Sequence, residues 1–312
     1  MSRHPSPSPL ITAAHATRAP REDHDLGLSH DLARLEAGRL QRRRALAWFA
    51  AVAGSASSLG LVACGGGGGS DGSSASSSSG SGSSGGSTGS GSNNSACPLI
   101  PEETAGPYPG DGSNSANGSI ANALALSGIV RRDIRSSIAG ASGLAGGVPL
   151  TLTLRLQNSN SSSCADLSGY AVYLWHCDRE GRYSMYSSGV TDQNYLRGVQ
   201  TSGSDGLVVF DTIFPGCYDG RMPHMHFEVY RSQALASGYA NKLRTSQIAF
   251  PEAICQQVYS SATGYNASSS NFARISFATD NVFSDGVSSQ LASVSGSVSQ
   301  GYAATLNVGV GA

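Results

Sequence analysis

Charge is scarce in this chain. Only 13% of its 312 residues are Asp, Glu, Lys or Arg, and the formal net charge is -1. Without a basic face there is no electrostatic footprint for a phosphate backbone, which argues against nucleic acid as a partner. Cysteines occur, but no C-x-x-C pair does, so a zinc site built from them is not expected. Long apolar runs are also missing. The best, ALAWFAAVAGSASSLGLVAC (45–64), is broken by Gly54, Ser55, Ser57 and Ser58 and has no polar stop-transfer flank, so it does not read as a spanning helix. Helical periodicity is sparse, and no repeat period stands out.

That broken apolar run instead reads as the core of an export signal. Arg42, Arg43 and Arg44 precede it, and it ends in Leu61-Val62-Ala63-Cys64, which resembles a bacterial lipobox with Cys64 as the lipid-bearing residue. The paired arginines also resemble a twin-arginine signal, so the export route stays open. Gly65 after the cysteine, where Asp would favour the inner membrane, slightly favours outer-membrane sorting. Residues 65–96 are almost wholly Gly and Ser. Such a segment cannot bury enough apolar area to offset its ordering entropy, and it reads as a tether. The expected organisation is a leader (1–64), a linker (65–96) and one globular domain (97–312), anchored to a membrane only through the lipid.

The globular part carries Cys97, Cys164, Cys177, Cys217 and Cys255. In an exported, disulfide-permissive compartment this odd number leaves at least one thiol free or paired between chains, and the connectivity is open.

Most of the domain has period two. VPLTLTLRLQ (148–157) alternates apolar and polar residues; GYAVYLWHC (169–177), GLVVFDTI (206–213) and HMHFEVY (224–230) are further strands. KLRTSQIAF (242–250), ARISFA (273–278) and TLNVGV (305–310) are later candidates. PEAICQQVYSS (251–261) is the best short helix, with Pro251 at its start. The expected fold is all-β, a β-sandwich with long loops and little helix.

The chemistry concentrates in PGCYDGRMPHMHFEVY. His224 and His226 are two apart on a strand, so both imidazoles leave the same face while Met225 turns into packing. Tyr218 lies just upstream, before a turn at Gly220, and Tyr183 ends the run LWHCDREGRY. Phenolate is a hard anionic donor that suits ferric iron better than zinc or copper(I). A ferric ion would in turn hold both phenols ionised at neutral pH. Arg221, always charged, is placed to stabilise phenolate or substrate oxyanion charge.

These segments resemble the intradiol ring-cleavage dioxygenases, the non-haem iron(III) family that includes the beta subunit of protocatechuate 3,4-dioxygenase, over nearly all of residues 97–312. PEETAGPYP (101–109) resembles the family segment bordering the active site, and RRDIR (131–135) another. LWHCDREGRY and PGCYDGRMPHMHF match the two ligand blocks. The resemblance implies Fe(3+) held by Tyr183, Tyr218, His224 and His226, with Arg221 as the active-site arginine. It further implies that Gln247, Pro107 and Tyr108 line the substrate pocket. The implied substrates are a catechol-type ring and O₂, with Tyr218 giving way to the catechol and taking its proton. Cleavage between the two hydroxyl-bearing carbons would give a cis,cis-muconate-type diacid. A carboxylated ring would need a cation, for which Arg131, Arg132, Arg135 and Arg197 are candidates. A linker stands where catechol-cleaving members carry a helical dimerisation region, so the oligomeric state is open. The competing readings are a tethered, non-catalytic β-sandwich binding module and a cupin-type site; the latter needs a Glu a few residues beyond the second His, and Glu228 comes too soon.

Overall fold

A computed structural model describes residues 97–312. The expected leader and linker lie outside the described residues. Alternation in the run VPLTLTLRLQ builds one half of the fold. β1 (Asp111–Ala116) and β2 (Ser119–Asn122) form a hairpin ahead of it. β3 (Pro149–Asn158) then turns Leu150, Leu152, Leu154 and Leu156 inward and leaves Thr151, Thr153 and Arg155 at the surface. Beyond it come β4 (Ala171–Trp175), β5 (Arg197–Thr201), β6 (Leu207–Ile213), β7 (His224–Tyr230) and β8 (Lys242–Ala249). Two helices follow, α1 (Glu252–Ser261) and α2 (Asn266–Phe272), and then β9 (Ser293–Ser297) and β10 (Gly301–Val310).

The strands form two four-stranded sheets, ordered β6-β3-β10-β9 and β5-β4-β7-β8. Within the first, β3 and β10 run parallel; every other pairing is antiparallel. The chain is therefore the expected all-β sandwich. Val172, Leu174, Met225, Phe227, Val229 and Ile248 of the second sheet meet Leu152, Leu154, Phe210, Ala304 and Val308 of the first in one continuous core. Met225 faces this core, as its position between two histidines predicts.

The second sheet has no solvent face. Its opposite side, carrying Ala171, Tyr173, Trp175 and Tyr230, packs against Ala121 of β2, against Ala123, Leu124 and Ile129 from the segment between β2 and β3, and against Tyr183 and Tyr186 from the loop after β4. All seven residues of β7 are buried. Period two in β4 and β7 thus separates one buried layer from another, as it does in sheets covered on both sides.

Several elements differ from the sequence expectation, which did not include β1, β2 or β9. ARISFA is a turn segment rather than a strand: Phe277 packs edge-on against Phe283 at 5.8 Å, so its apolar residues serve a local cluster. α2 (NASSSNF) has no apolar stripe to announce it. It is held by hydrogen bonds, with the Cys217 amide donating to Ser268 Oγ (2.9 Å) and Asn271 Nδ2 donating to the Cys217 carbonyl (2.8 Å). β5 is short and begins Arg-Gly, which hides it from a strand pattern.

Cys97 and Cys164 form a disulfide across a sequence separation of 67, which ties the start of the domain to the turn after β3. Cys177, Cys217 and Cys255 are free and buried. A closed loop of this length is worth about 4 kcal/mol in the chain-entropy model. Replacing Cys97 and Cys164 together with Ser should lower unfolding stability by about that amount in a denaturant titration, with a steeper transition because the uncrosslinked denatured chain exposes more surface. An unchanged midpoint would show that the crosslink restrains nothing in the unfolded chain.

Candidate metal centre

Register assembles the centre. Across the second sheet, Trp175 of β4 pairs with His226 of β7, and His226 pairs with Gln247 of β8. Cross-strand partners share a face, so this row projects into the loop-covered layer, and His224 joins it one pleat away. The Trp175 ring lies flat on His226 (centroids 5.0 Å apart, 7° between planes), with Tyr173 stacked behind it at 5.0 Å. That column fixes the imidazole plane.

Two turns deliver the phenols. Asp178, buried at the end of β4, accepts from the amides of Glu180 (3.0 Å) and Arg182 (2.9 Å) and from Tyr195 Oη (2.9 Å). This closes the turn that presents Tyr183. Gly181 in that turn has φ +84°, and a Cβ there would meet Tyr218 Cβ at 3.0 Å, so glycine lets the two phenol-bearing segments touch. Tyr218 comes from the connection between β6 and β7, anchored by α2 through Cys217.

The four side chains converge. Nε2 of His224 lies 3.0 Å from Nε2 of His226 and 3.2 Å from Tyr218 Oη. The Tyr183 ring stands 5.9 Å from that of Tyr218 and 6.3 Å from that of His226, centroid to centroid. His224 Nδ1 sits 2.6 Å from the Met222 carbonyl; a proton held there leaves the Nε2 lone pair aimed inward. The Tyr183 hydroxyl is buried without a hydrogen-bond partner. A buried orphan of this kind is costly unless something else meets it. Among the described residues no group of three or more His, Cys, Asp or Glu could hold a metal, so a centre here depends on the phenols.

Burial sets the charge states. It pushes both histidines well below their ordinary range and both tyrosines well above theirs, with Tyr218 raising Tyr183 further and Arg221 opposing the rise at Tyr218. Without a cation all four groups are neutral donors. Cys217 does not add a thiolate: burial pushes it up to about 12, and its thiol points at the Arg221 carbonyl (3.4 Å).

Arg221 supplies the positive charge. Its Nε donates to Asp280 at 3.0 Å and its Nη2 to Gln247 Oε1 at 2.7 Å, while Gln247 Nε2 donates to the Thr104 carbonyl at 3.0 Å. Burial works against its charge, but Tyr218 and Asp280 shift it upward overall. Gln247 thus bridges the arginine to the segment carrying Gly106, Pro107 and Tyr108. Gly106, at φ +70°, brings backbone onto His226, where a Cβ would lie 3.3 Å from Cε1. Tyr108 packs on the Tyr183 ring at 5.0 Å, and Pro107 is exposed at the rim.

The structure also corrects the reading of the arginines as partners for a substrate carboxylate. Arg132 pairs with Asp211 at 2.8 Å and Arg135 pairs with Asp133 at 2.6 Å. Arg131 donates to the carbonyls of Ser136, Asn194 and Arg197. Arg197 is sealed inside the loop layer and donates to neutral groups. Sequence reasoning also missed Asp280. It lies 59 positions from Arg221, within a segment read as following a strand, so only the tertiary contact reveals it.

No protein-family model and no curated protein matches the chain. Solved structures do. An intradiol ring-cleavage dioxygenase from Tetranychus urticae is 26% identical with a TM-score of 0.51, covering 69% of this chain and 95% of that one. A second crystal structure, described as a dioxygenase, is likewise 26% identical with a TM-score of 0.51, over 69% of this chain and 94% of that one. More distantly, the dioxygenase domain of a carbohydrate-binding fusion from Streptomyces sp. SirexAA-E is 22% identical with a TM-score of 0.40, over 68% and 97%. The resemblance carried by the sequence motifs is matched in the fold: the chain shares the β-sandwich of the Tetranychus urticae intradiol ring-cleavage dioxygenase.

Two predictions follow from the charges around Arg221. Asp280 is fully buried and also accepts from the amides of Met222, Val282 and Phe283. Asp280→Ala leaves a buried guanidinium unpaired and should cost about 3–5 kcal/mol in chemical denaturation; a loss below about 1 kcal/mol would mean that water replaces the carboxylate. Glu103, half-buried, is raised to about 7 by burial first and then by Asp285. A raised carboxyl binds its proton more tightly in the folded state, so its contribution is full below about 4.5 and is lost as pH rises through about 7. Glu103→Gln should therefore gain stability relative to the parent across that window; a constant difference would contradict the shift.

Proposed function

We propose that this protein is a non-haem Fe(3+) dioxygenase that opens a catechol-type ring between its two hydroxyl-bearing carbons, using O₂ and giving a cis,cis-muconate-type diacid. The observation that carries the reading is the convergence of two phenols and two imidazoles on one point, with the Tyr183 hydroxyl buried and unpartnered. This donor set, hard oxygen plus imidazole nitrogen, fits ferric iron. In this reading Tyr183, Tyr218, His224 and His226 hold the metal. Bound iron(III) would keep both phenols ionised and draw electron density from the catechol ring, so that a ring carbon reacts with O₂ directly.

The remaining roles belong to the chain. Tyr218 is the one donor of the four that keeps partial exposure, so it is the group that can swing aside and accept a catechol proton at Oη. Arg221, held by Asp280 and Gln247, stabilises negative charge developing on the substrate. Pro107, Tyr108 and Gln247 wall the ring and limit its orientations, while the aromatic layer around Tyr183 excludes water. Both oxygen atoms of O₂ enter the product, one at each new carboxyl, and the balance needs no other reductant.

With isotopically heavy O₂ and catechol, the protein should give a ring-opened diacid carrying both heavy atoms. Tyr218→Phe and His226→Ala should each reduce this activity by roughly a hundredfold or more while the near-ultraviolet circular dichroism stays that of the parent. Retained activity in both variants, or cleavage outside the two hydroxyl-bearing carbons, would contradict the assignment.

We further infer from residues 1–96 that the domain is exported and tethered to a membrane through a lipid on Cys64. Cys64→Ser should move the protein from the membrane fraction to the soluble one; an unchanged distribution would argue against the anchor.

A further inference from the structure

Arg197 is among the largest side chains fully enclosed by the domain, at 1% exposed. It opens β5, outside both ligand segments. All five of its N–H donors are engaged. Nε donates to Ser184 Oγ (3.1 Å), Nη1 to the Pro109 carbonyl (2.7 Å) and Tyr173 Oη (3.1 Å), and Nη2 to the carbonyls of Tyr108 (3.0 Å) and Ser184 (2.9 Å). Every acceptor is neutral: two hydroxyls and three backbone carbonyls. The guanidinium carbon also lies over the Tyr186 ring, 5.4 Å from its centroid.

A buried charge answered only by dipoles is costly, and one anion would have neutralised it more simply. What this arrangement provides instead is geometry. A guanidinium carries five donors in one rigid plane, which no other side chain offers. Here that plane joins two segments that border the candidate centre. One is Tyr108-Pro109, whose tyrosine packs on the Tyr183 ring at 5.0 Å. The other is Ser184, the residue directly after Tyr183. Tyr186 completes the clasp, since its hydroxyl accepts from the Gly110 amide (2.8 Å) and donates to Asn114 (2.7 Å).

We propose that Arg197 is a positioning residue: its buried guanidinium locks the Tyr108 wall of the substrate pocket to the Tyr183 loop, fixing wall and phenol at one separation. The inference rests on the reading of this centre as a ferric, catechol-binding one. It assigns Arg197 no contact with substrate or metal.

Arg197→Lys keeps the charge and removes the planar fork. Hydrogen exchange of the metal-free protein should show the amides of 106–112 and 183–187 opening together, about tenfold faster than in the parent, while β3 and β10 keep their protection. In iron-loaded protein without oxygen, the dissociation constant for catechol should rise about tenfold, and Ser184→Ala, which keeps most of the fork, should shift it less. Unchanged exchange in the two segments, or acceleration spread evenly over the whole domain, would overturn the proposal. If Arg197→Lys does not fold, the double variant Tyr173→Phe/Ser184→Ala removes two acceptors, leaves the charge, and decides the question on the same exchange pattern. If the parent binds neither ferric iron nor catechol, the functional reading fails, while the exchange comparison still decides the role of Arg197.

Discussion

The centre depends on one constraint: the second sheet is covered on both faces. A strand with one wet face would place His224 and His226 in solvent, where each imidazole keeps its ordinary proton affinity. Because loops roof the sheet, β7 sends Met225, Phe227 and Val229 into the hydrophobic core and both histidines into a second enclosed layer. Desolvation then removes the histidine charge and keeps the phenols protonated until a cation arrives. The same roof supplies Tyr183, Tyr108 and the backbone of Gly106, so the cover and the candidate active site are built from the same residues.

Positive charge in this layer is handled in two ways. Arg221 has a fully buried carboxylate partner, Asp280, and its Nη2 donates to Gln247 beside His226. Arg197 has only carbonyls and hydroxyls and joins chain segments. The first arrangement keeps a charge ready next to the chemistry; the second converts a charge into rigidity.

Much of this was legible in the sequence, for stated physical reasons. Period two in VPLTLTLRLQ required a half-buried strand, and His-x-His within a strand required two imidazoles on one face. Tyr183 and Tyr218 were legible as partners because of their company rather than their spacing alone. What stayed hidden shares one cause, namely that the partners are distant in the chain. Asp280 reads as an ordinary loop acid until α2 and the turns after it fold back over Arg221. Arg197 reads as a candidate partner for a substrate carboxylate, because nothing in LRGVQ announces that three carbonyls will surround it. α2 is held by Ser268 and Asn271 bonding the Cys217 backbone, a stabilisation that leaves no hydrophobic pattern, while ARISFA has the pattern of a strand but no neighbouring strand to pair with.

The central claim is that two phenols and two imidazoles form a ferric centre that takes a catechol. The most direct measurement is the visible absorption spectrum of the purified, iron-loaded protein, before and after addition of catechol in the absence of oxygen. The account predicts a broad tyrosinate-to-iron(III) charge-transfer band that moves to longer wavelength when catechol is added. A protein that stays colourless after ferric loading, with no band to shift, would contradict it.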